Sequence, residues 1–500
     1  MSNLSGYDSE AIGFDSISQE TRHDTTASTQ TDYGETGVGT QTALYADCGS
    51  TATPEDLAAQ DDVLKEYPPP GLNEFLRRVV PGMLEQLDQS GREVLYNSSD
   101  SDEEDSVTAQ LVQEIRVSDL TGAGGDQPMS VLDVSWSSAG NSLAVSIGIM
   151  QHVKWCTDDG LIRIYTVKSS AGNKFVHNFD IFEKNCVSVV KYHPSIAALL
   201  AYGTSSGEVV LCNLRNSIED MQLTSPAGCH GAKRVSALMW ADAPLASLFL
   251  TIQITNTGKR RVASDQILLS SGSDGTLNAW RVNANLKIFE NVVSYAINGS
   301  QKMPEPDISC FDFIKSYPLR PSGEKIPDDV FVVGTKTGKL YLCRIKKAEI
   351  VGEATDPVYE ALDGHSTCVV AVAFSLQKPG IFASVSIDSE LKVYDIRQTA
   401  PLKVLCLDVA ISCMTWLPNN PSVAVLGVSG AGGPLRLYNV RSGCAIKVEG
   451  LSWDNCNRIT SLAVNQSGSC RVAVGDCEGN VKVWELPSRR IKLAAEDLDF

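Results

Sequence analysis

SDGTLNAWRV, residues 273–282, is a tight turn, an alternating run and a closing apolar residue, and the chain writes this phrase seven times. The other copies are DDGLIRIYTV (158–167), SSGEVVLCNL (205–214), KTGKLYLCRI (336–345), IDSELKVYDI (387–396), GGPLRLYNV (432–440) and CEGNVKVWEL (477–486). In each, an aromatic residue or Cys stands near the end: Tyr165, Cys212, Trp280, Cys343, Tyr394, Tyr438 and Trp484. These are separated by steps of 47, 68, 63, 51, 44 and 46 residues. Alternation after a Gly/Asp/Ser turn is the pattern of a half-buried strand. Each copy has an apolar partner upstream: VLDVSW (131–136), VSVVKYHP (187–194), VSALMW (235–240), ISCFDF (308–313), VVAVAF (369–374), ISCMTW (411–416) and ITSLAV (459–464). Paired strand signals at this period predict four-stranded blades around an axis, and seven copies predict seven blades. The expected fold class is all-β.

Working outward, the two long steps locate insertions. Residues 253–266 (QITNTGKRRVASDQ) and 314–329 (IKSYPLRPSGEKIPDD) are polar and hold Gly, Pro and charge, so both are expected as exposed loops within the third and fourth blades. A ring also needs closing, or an unpaired edge remains. Val107 to Val117 alternates through Leu111, Ile115 and Val117 and can supply the outer strand of the seventh blade, although Ile491-Lys492-Leu493 competes for that place.

Residues 1–66 are rich in Ser, Thr, Gly, Asp and Glu and poor in large apolar residues, which predicts a disordered arm. After Pro68-Pro69-Pro70, residues 71–95 change character. Leu72, Phe75, Leu76, Val79, Val80, Met83, Leu84 and Leu87 follow helical spacing on one face, and Pro81 should kink or split that helix. SSDSDEED (98–105) opens an acidic linker over 98–106, the propeller is expected over 107–490, and 491–500 form a tail.

The net charge of −18 is unevenly distributed. Residues 1–130 hold 25 acidic and 6 basic residues, while the rest of the chain is nearly balanced. An acidic arm repels phosphate backbones, which argues against nucleic-acid binding. No apolar run is long enough to span a bilayer, so membrane insertion is not expected. The first twenty residues match neither a secretory signal nor a mitochondrial transit peptide. The 14 cysteines are scattered, form no Cys-x-x-Cys pair and read as small buried hydrophobes in a reducing compartment.

Catalytic patterns are weak. Gly203-Thr204-Ser205-Ser206-Gly207 matches the G-x-S-x-G form, but a strand-like run follows where a nucleophile elbow needs a helix. The six histidines show no metal-ligand spacing, and no phosphate-binding glycine loop is present. No enzyme activity, metal or cofactor is therefore expected.

The repeats resemble the WD-repeat family over roughly residues 130–487. Repeat five matches best, with Gly364-His365 nine residues before Phe374, Asp388 in the tight turn and Tyr394-Asp395 at the Trp-Asp position. The resemblance implies that His365, Ser386 and Asp388 form a hydrogen-bond network tying the blade together, with Tyr394 in place of the usual Trp. In the arm, Thr29-Gln30-Thr31 and Thr40-Gln41-Thr42 resemble the anchor recognised by the eight-kilodalton dynein light chain, where an extended peptide adds a strand to a dimer edge. Two tandem sites would bind with avidity.

Light-chain motifs, an amphipathic helix, an acidic linker and a propeller, in this order, resemble the dynein intermediate chains, and most closely those of dynein-2, the intraflagellar-transport dynein. Phe75-Leu76-Arg77-Arg78-Val79, His193-Pro194 with Gly207-Glu208-Val209, and Gly475-Asp476 through Trp484 carry that resemblance. It implies a propeller bound to the dynein heavy chain and a helix around Phe75 (Leu72, Phe75, Leu76, Val79, Val80, Met83 and Leu84) bound to a roadblock-type light chain. It also implies a second intermediate chain as heterodimer partner. The place of action would be the cytoplasm, the cytoskeleton and the cilium or flagellum with its base, in retrograde intraflagellar transport. An axonemal dynein intermediate chain and a WD-repeat substrate receptor of a ubiquitin ligase remain the alternatives; the Thr-Gln-Thr pair has no role in the latter.

Overall fold

The first buried apolar residue of every inner strand is β-branched: Val131, Val187, Val235, Ile308, Val369, Ile411 and Ile459, each at most 2% exposed. In the computed structural model these seven strands surround one axis. The structure describes residues 74–80 and 107–486, apart from 118–128, 151–158, 169–173, 218–219, 258–261, 299–305, 316–326, 352–353, 377, 379, 419, 421, 430–433, 452–456 and 466–469.

From the axis outward, blade one is Ser130–Trp136, Ser142–Gly148, Gly160–Lys168 and Lys174–Glu183. Blade two is Val187–Tyr192, Leu199–Thr204, Val209–Asn213 and Gln222–Thr224. Blade three is Val235–Trp240, Gln266–Gly272, Thr276–Asn283 and Ile288–Ala296; blade four is Ile308–Phe313, Val330–Thr335, Leu340–Arg344 and Val358–Leu362. Blade five is Val369–Phe374, Ile381–Ser386, Glu390–Asp395 and Lys403–Cys406; blade six is Ala410–Trp416, Val423–Ser429, Leu435–Asn439 and Cys444–Ile446. Blade seven takes Ile459–Val464, Arg471–Asp476 and Asn480–Glu485 from the C-terminal side and its outer strand, Gln110–Arg116, from the N-terminal side. The chain is a seven-bladed β-propeller.

One device repeats in every blade. The register slips by one residue just after that buried β-branched residue, at Leu132, Ser188, Ser236, Ser309, Val370, Ser412 and Thr460. Such a bulge bends and twists the strand toward the axis. Where the bulged residue is Ser or Thr, its hydroxyl can hold the kink: Ser188, Ser412 and Thr460 each donate to the carbonyl of Gly203, Gly427 or Gly475 at 3.1 Å. Those carbonyls belong to glycines for a reason of space. A Cβ on Gly475 would lie 2.3 Å from Val131 of blade one, and one on Gly203 would lie 2.5 Å from Val235 of blade three.

Indoles stitch neighbouring inner strands. Trp240 donates to the Lys191 carbonyl (3.2 Å), Trp416 to Ala373 (3.0 Å) and Trp136, across the closure, to Ala463 of blade seven (3.0 Å). The closing strand pairs antiparallel with Asn480–Glu485, as its alternation suggests. It is also clamped sideways: the Gln113 amide accepts from the Phe175 N–H (2.7 Å) and donates to the Phe175 carbonyl (2.8 Å) of blade one.

The insertion in blade three departs from expectation. Residues 243–257 are a helix, Ala243–Thr257, which takes in the first part of the segment expected to be a loop at 253–266. Leu245, Phe249, Leu250 and Gln253 are buried, the apolar ones against Phe311, Phe313 and Phe331 at the joint with blade four. Asp242 caps it, accepting from the Leu245 N–H at 3.1 Å. A second addition is the hairpin Glu349–Val351 and Ala354–Asp356, which pairs parallel with Ile288–Ala296 through Tyr295 and Thr355 and makes blade three a six-stranded sheet. Among the described residues no helix is long and apolar enough to cross a membrane, and the described cysteines are free thiols.

Candidate functional site

Outside the propeller, the described residues 74–80 are helical. Phe75, Leu76 and Val80 are 49%, 42% and 38% exposed, and Val79 is partly covered. Leu72, Met83 and Leu84 lie outside the described residues, as do Thr29-Gln30-Thr31, Thr40-Gln41-Thr42, the acidic linker 98–106 and the tail 491–500.

In blade five, His365 is buried, and its Nε2 meets Ser384 Oγ at 2.7 Å while its Nδ1 meets Glu390 at 3.2 Å. Ser386, named from the sequence, lies beside this pair: its hydroxyl meets Thr367 (2.8 Å) and the Cys368 carbonyl (3.0 Å). Asp388 accepts from the Ser366 hydroxyl at 2.5 Å. Burial opposes the Asp388 charge, but the Ser366, Ser386 and Thr367 hydroxyls and the nearby imidazole outweigh it and hold the carboxyl below its ordinary pKa. Burial, then the Lys392 charge, lower the His365 pKa against the pull of Glu390 and Asp388. Tyr394 donates to the Asp363 carbonyl at 2.6 Å.

A fuller network, which the sequence reading passed over, lies in blade three. His230 Nε2 and the Trp280 indole N–H both meet Ser270 Oγ at 2.8 Å. Asp274 lies 3.3 Å from His230 Nδ1 and accepts from the Thr276 hydroxyl at 2.7 Å. The spacing from Ser270 through Asp274 to Trp280 repeats from Ser384 through Asp388 to Tyr394. That spacing was the available signal, and the insertion between Trp240 and Gln266 hid it by separating His230 from Ser270.

His365, Asp388 and Glu390 bring three ligand-type atoms within 4.8 Å of one another. The imidazole is committed on both nitrogens and Lys392 already sits 3.3 Å from Glu390, so the group functions as a hydrogen-bonded tie. The G-x-S-x-G segment forms the turn between Leu199–Thr204 and Val209–Asn213, with Gly207 at φ +90°. At the joint of blades one and two, burial raises Glu183 to about 7 against hydrogen bonds from Tyr202 and Gln222, and burial likewise raises Glu208 to about 7. This pair lines neither mouth of the axial channel.

The two mouths differ. One, at the far ends of the inner strands, is a cavity of about 170 Å³ where Lys315 is paired to Asp312 and Asp312 also accepts from the Phe374 N–H at 2.7 Å. The other, where the inner strands begin, holds about 460 Å³ and is lined by Arg234, Arg458, Ser205 and an aliphatic wall that includes Leu132, Ile149 and Ile387.

No family model matches the chain. Over 92% of its length it is 22% identical to the cytoplasmic dynein 2 intermediate chain 2 of Mus musculus, covering 84% of that protein. Over 87% of its length it is 22% identical to the Homo sapiens protein of the same name, covering 80% of it. Over 53% of its length it is 22% identical to the ribosome biogenesis protein ytm1 of Neurospora crassa, covering 53% of that protein. Its resemblance is thus to dynein-2 intermediate chains over nearly the whole chain.

Proposed function

We propose that this chain is a non-catalytic intermediate chain of a dynein-2 motor, supporting retrograde intraflagellar transport and the assembly of a cilium or flagellum. The observation that carries the reading is the span of the similarity. A match over 92% of the chain runs through the propeller and well into the N-terminal arm, whereas a likeness between propellers alone would stop at the blades.

In this reading the propeller holds the tail of the dynein heavy chain. The Thr-Gln-Thr segments at Thr29-Gln30-Thr31 and Thr40-Gln41-Thr42 each add a strand to an eight-kilodalton light-chain dimer, which clamps this arm to that of a second, different intermediate chain. The helix at 71–95 docks its apolar face in a roadblock-type light chain; the exposure of Phe75, Leu76 and Val80 supports that role. The work is done in the cytoplasm, on the microtubule cytoskeleton and at the cilium or flagellum and its base.

Replacing Gln30 and Gln41 with Ala in the full chain is expected to abolish capture of the eight-kilodalton light chain, measured by pull-down; undiminished capture would remove the strand-addition assignment. Phe75→Asp is expected to release the roadblock-type light chain while thermal unfolding of the propeller stays unchanged. If that variant keeps the light chain, the helix has another task.

A further inference from the structure

Blade seven is the seam of the ring, built from both sides of the chain, and its outermost strand is Gln110–Arg116. Among the described residues no strand pairs with the other edge of Gln110–Arg116. An open strand edge is ordinarily paired, covered or heavily charged. This one is thinly covered: Leu111 is 46% exposed, and Gln110 and Arg116 are exposed as well. Val107 leads back into residues 1–106, so a pull on that part of the chain bears first on the closing strand.

Place and charge both point to the residues that follow Leu486. Gln110 pairs with Glu485 and Leu111 with Trp484. Trp484 and Leu486 pack together against Leu435 and Leu437 of blade six. Leu486 therefore stands at the Gln110 end of the closing strand, on the side where Leu111 is uncovered. Four extended residues, 487–490, reach roughly 13 Å. Two strand spacings come to roughly 10 Å. Residue 491 can thus lie at the outer edge, with the chain then running in the same direction as the closing strand.

The charges favour that direction. From the Gln110 end, the exposed side of blade seven presents Glu485, then Leu111, Glu114 and Arg116, the three charged side chains being 40%, 36% and 64% exposed. Glu114 is loosely matched within the blade, 3.8 Å from Lys482 and 3.7 Å from Arg116. The residues after Leu486 carry bases first, Arg489, Arg490 and Lys492, and then the acids Glu496 and Asp497. Run alongside from the Gln110 end, bases meet the glutamates and acids meet Arg116; run the other way, like charges meet. Ile491-Lys492-Leu493 also has the alternation of a strand. The molecule extends sheets in this manner elsewhere: the hairpin at 349–356 lengthens blade three through a parallel pair, and Val107–Thr108 pairs parallel with Val448–Glu449.

We propose that residues 490–496 strap the seam by adding a fifth strand to blade seven, parallel to Gln110–Arg116. Alternation places Arg490 and Lys492 on the face of Leu111 and Glu114, the Arg490 stem covering Leu111 and the Lys492 ammonium meeting Glu114. Ile491 and Leu493 take the opposite face, where Val112 is half-buried in the cluster with blade one. The strap is independent of the light-chain segments and of the motor reading.

Hydrogen exchange followed by mass spectrometry on the full chain tests this. In the wild type, amides 490–496 are expected to exchange at least tenfold more slowly than in a free peptide of residues 487–500. The double variant Ile491→Pro, Leu493→Pro should bring them to the free-peptide rate and speed exchange over 110–116 at least threefold, while 369–374 in blade five stays unchanged. Lys492→Glu should speed exchange of 490–496 at least threefold, and adding Glu114→Lys should restore the protection. Free-peptide exchange of 490–496 in the wild type would overturn the proposal, and that measurement depends on no variant. So would a protected segment whose prolines leave 110–116 unaffected, or a charge swap that restores nothing.

Discussion

Blades three and five solve the same problem with different residues. Each must fix the loop that enters its inner strand to the strands that follow, and each uses a buried histidine against a serine hydroxyl. In blade three everything converges: the imidazole and the indole share Ser270, and Asp274 with Thr276 completes the turn. In blade five the phenol of Tyr394 donates to the Asp363 carbonyl, Glu390 takes the imidazole, and Asp388 turns to Ser366. The indole N–H has one direction in which to donate, whereas the phenol extends further and finds a backbone oxygen. The change of aromatic, together with Glu390 standing where blade three has Thr276, goes with a redistributed network in a blade that keeps its four strands.

The comparison can be broken at its hub. Ser270→Ala strands two buried donors or acceptors at once and is expected to cost about 2–4 kcal/mol, against about 1–2 kcal/mol for Ser384→Ala, by chemical denaturation. Equal losses would mean that the convergence in blade three carries no extra stability. Next in size is the aromatic: Trp280→Phe should cost about 2 kcal/mol, Tyr394→Phe about 1 kcal/mol, the difference reflecting the packing lost with the larger ring.

A smaller effect is pH-dependent. His365 has a depressed pKa in the fold, so its contribution is complete above the ordinary imidazole pKa and is lost as pH falls below that value. Thermal unfolding of the wild type should therefore lose stability from pH 7.5 to 5.5, and His365→Gln should flatten part of that slope. An unchanged slope would show that the imidazole titrates as in the unfolded chain. The smallest effect concerns the turns. Gly275 in blade three has φ +83°, while Ser389 stands at φ +68° in the matching turn of blade five. Ser389→Gly is expected to stabilise by roughly 0.5–1 kcal/mol, and Gly275→Ser to destabilise by about as much, in melting experiments. A destabilised Ser389→Gly would mean that the serine side chain holds that turn.

These two blades also show what a single sequence reveals. Blade five was legible as a repeat because Gly364-His365, Asp388 and Tyr394-Asp395 lie within one uninterrupted stretch, although the serine that meets His365 is Ser384 where the sequence pointed to Ser386. Blade three holds the fuller network, but the helix Ala243–Thr257 interrupts it, and that helix gave no periodic signal because it is apolar nearly all round. Its β-branched run, Thr251-Ile252-Gln253-Ile254-Thr255, reads as strand or loop; Asp242 before Pro244 was the cue for a capped helix start. The closing strand was legible only as one of two candidates, since Ile491-Lys492-Leu493 offered a second, and its pairing with Asn480–Glu485 is what the structure adds. The parallel hairpin at 349–356 was not, because its pairing with Ile288–Ala296 is set by tertiary contact and by no local pattern. For the arm, composition and short motifs speak to binding, and the structure adds only the exposed helix at 74–80.

The central claim is that arm and propeller together make a motor subunit. Mass spectrometry of the proteins that co-purify with the tagged full chain tests it most directly. The account predicts a dynein-2 heavy chain together with eight-kilodalton and roadblock-type light chains and a second intermediate chain. Recovery of ubiquitin-ligase scaffold proteins or pre-ribosomal particles, with no dynein heavy chain, would contradict it.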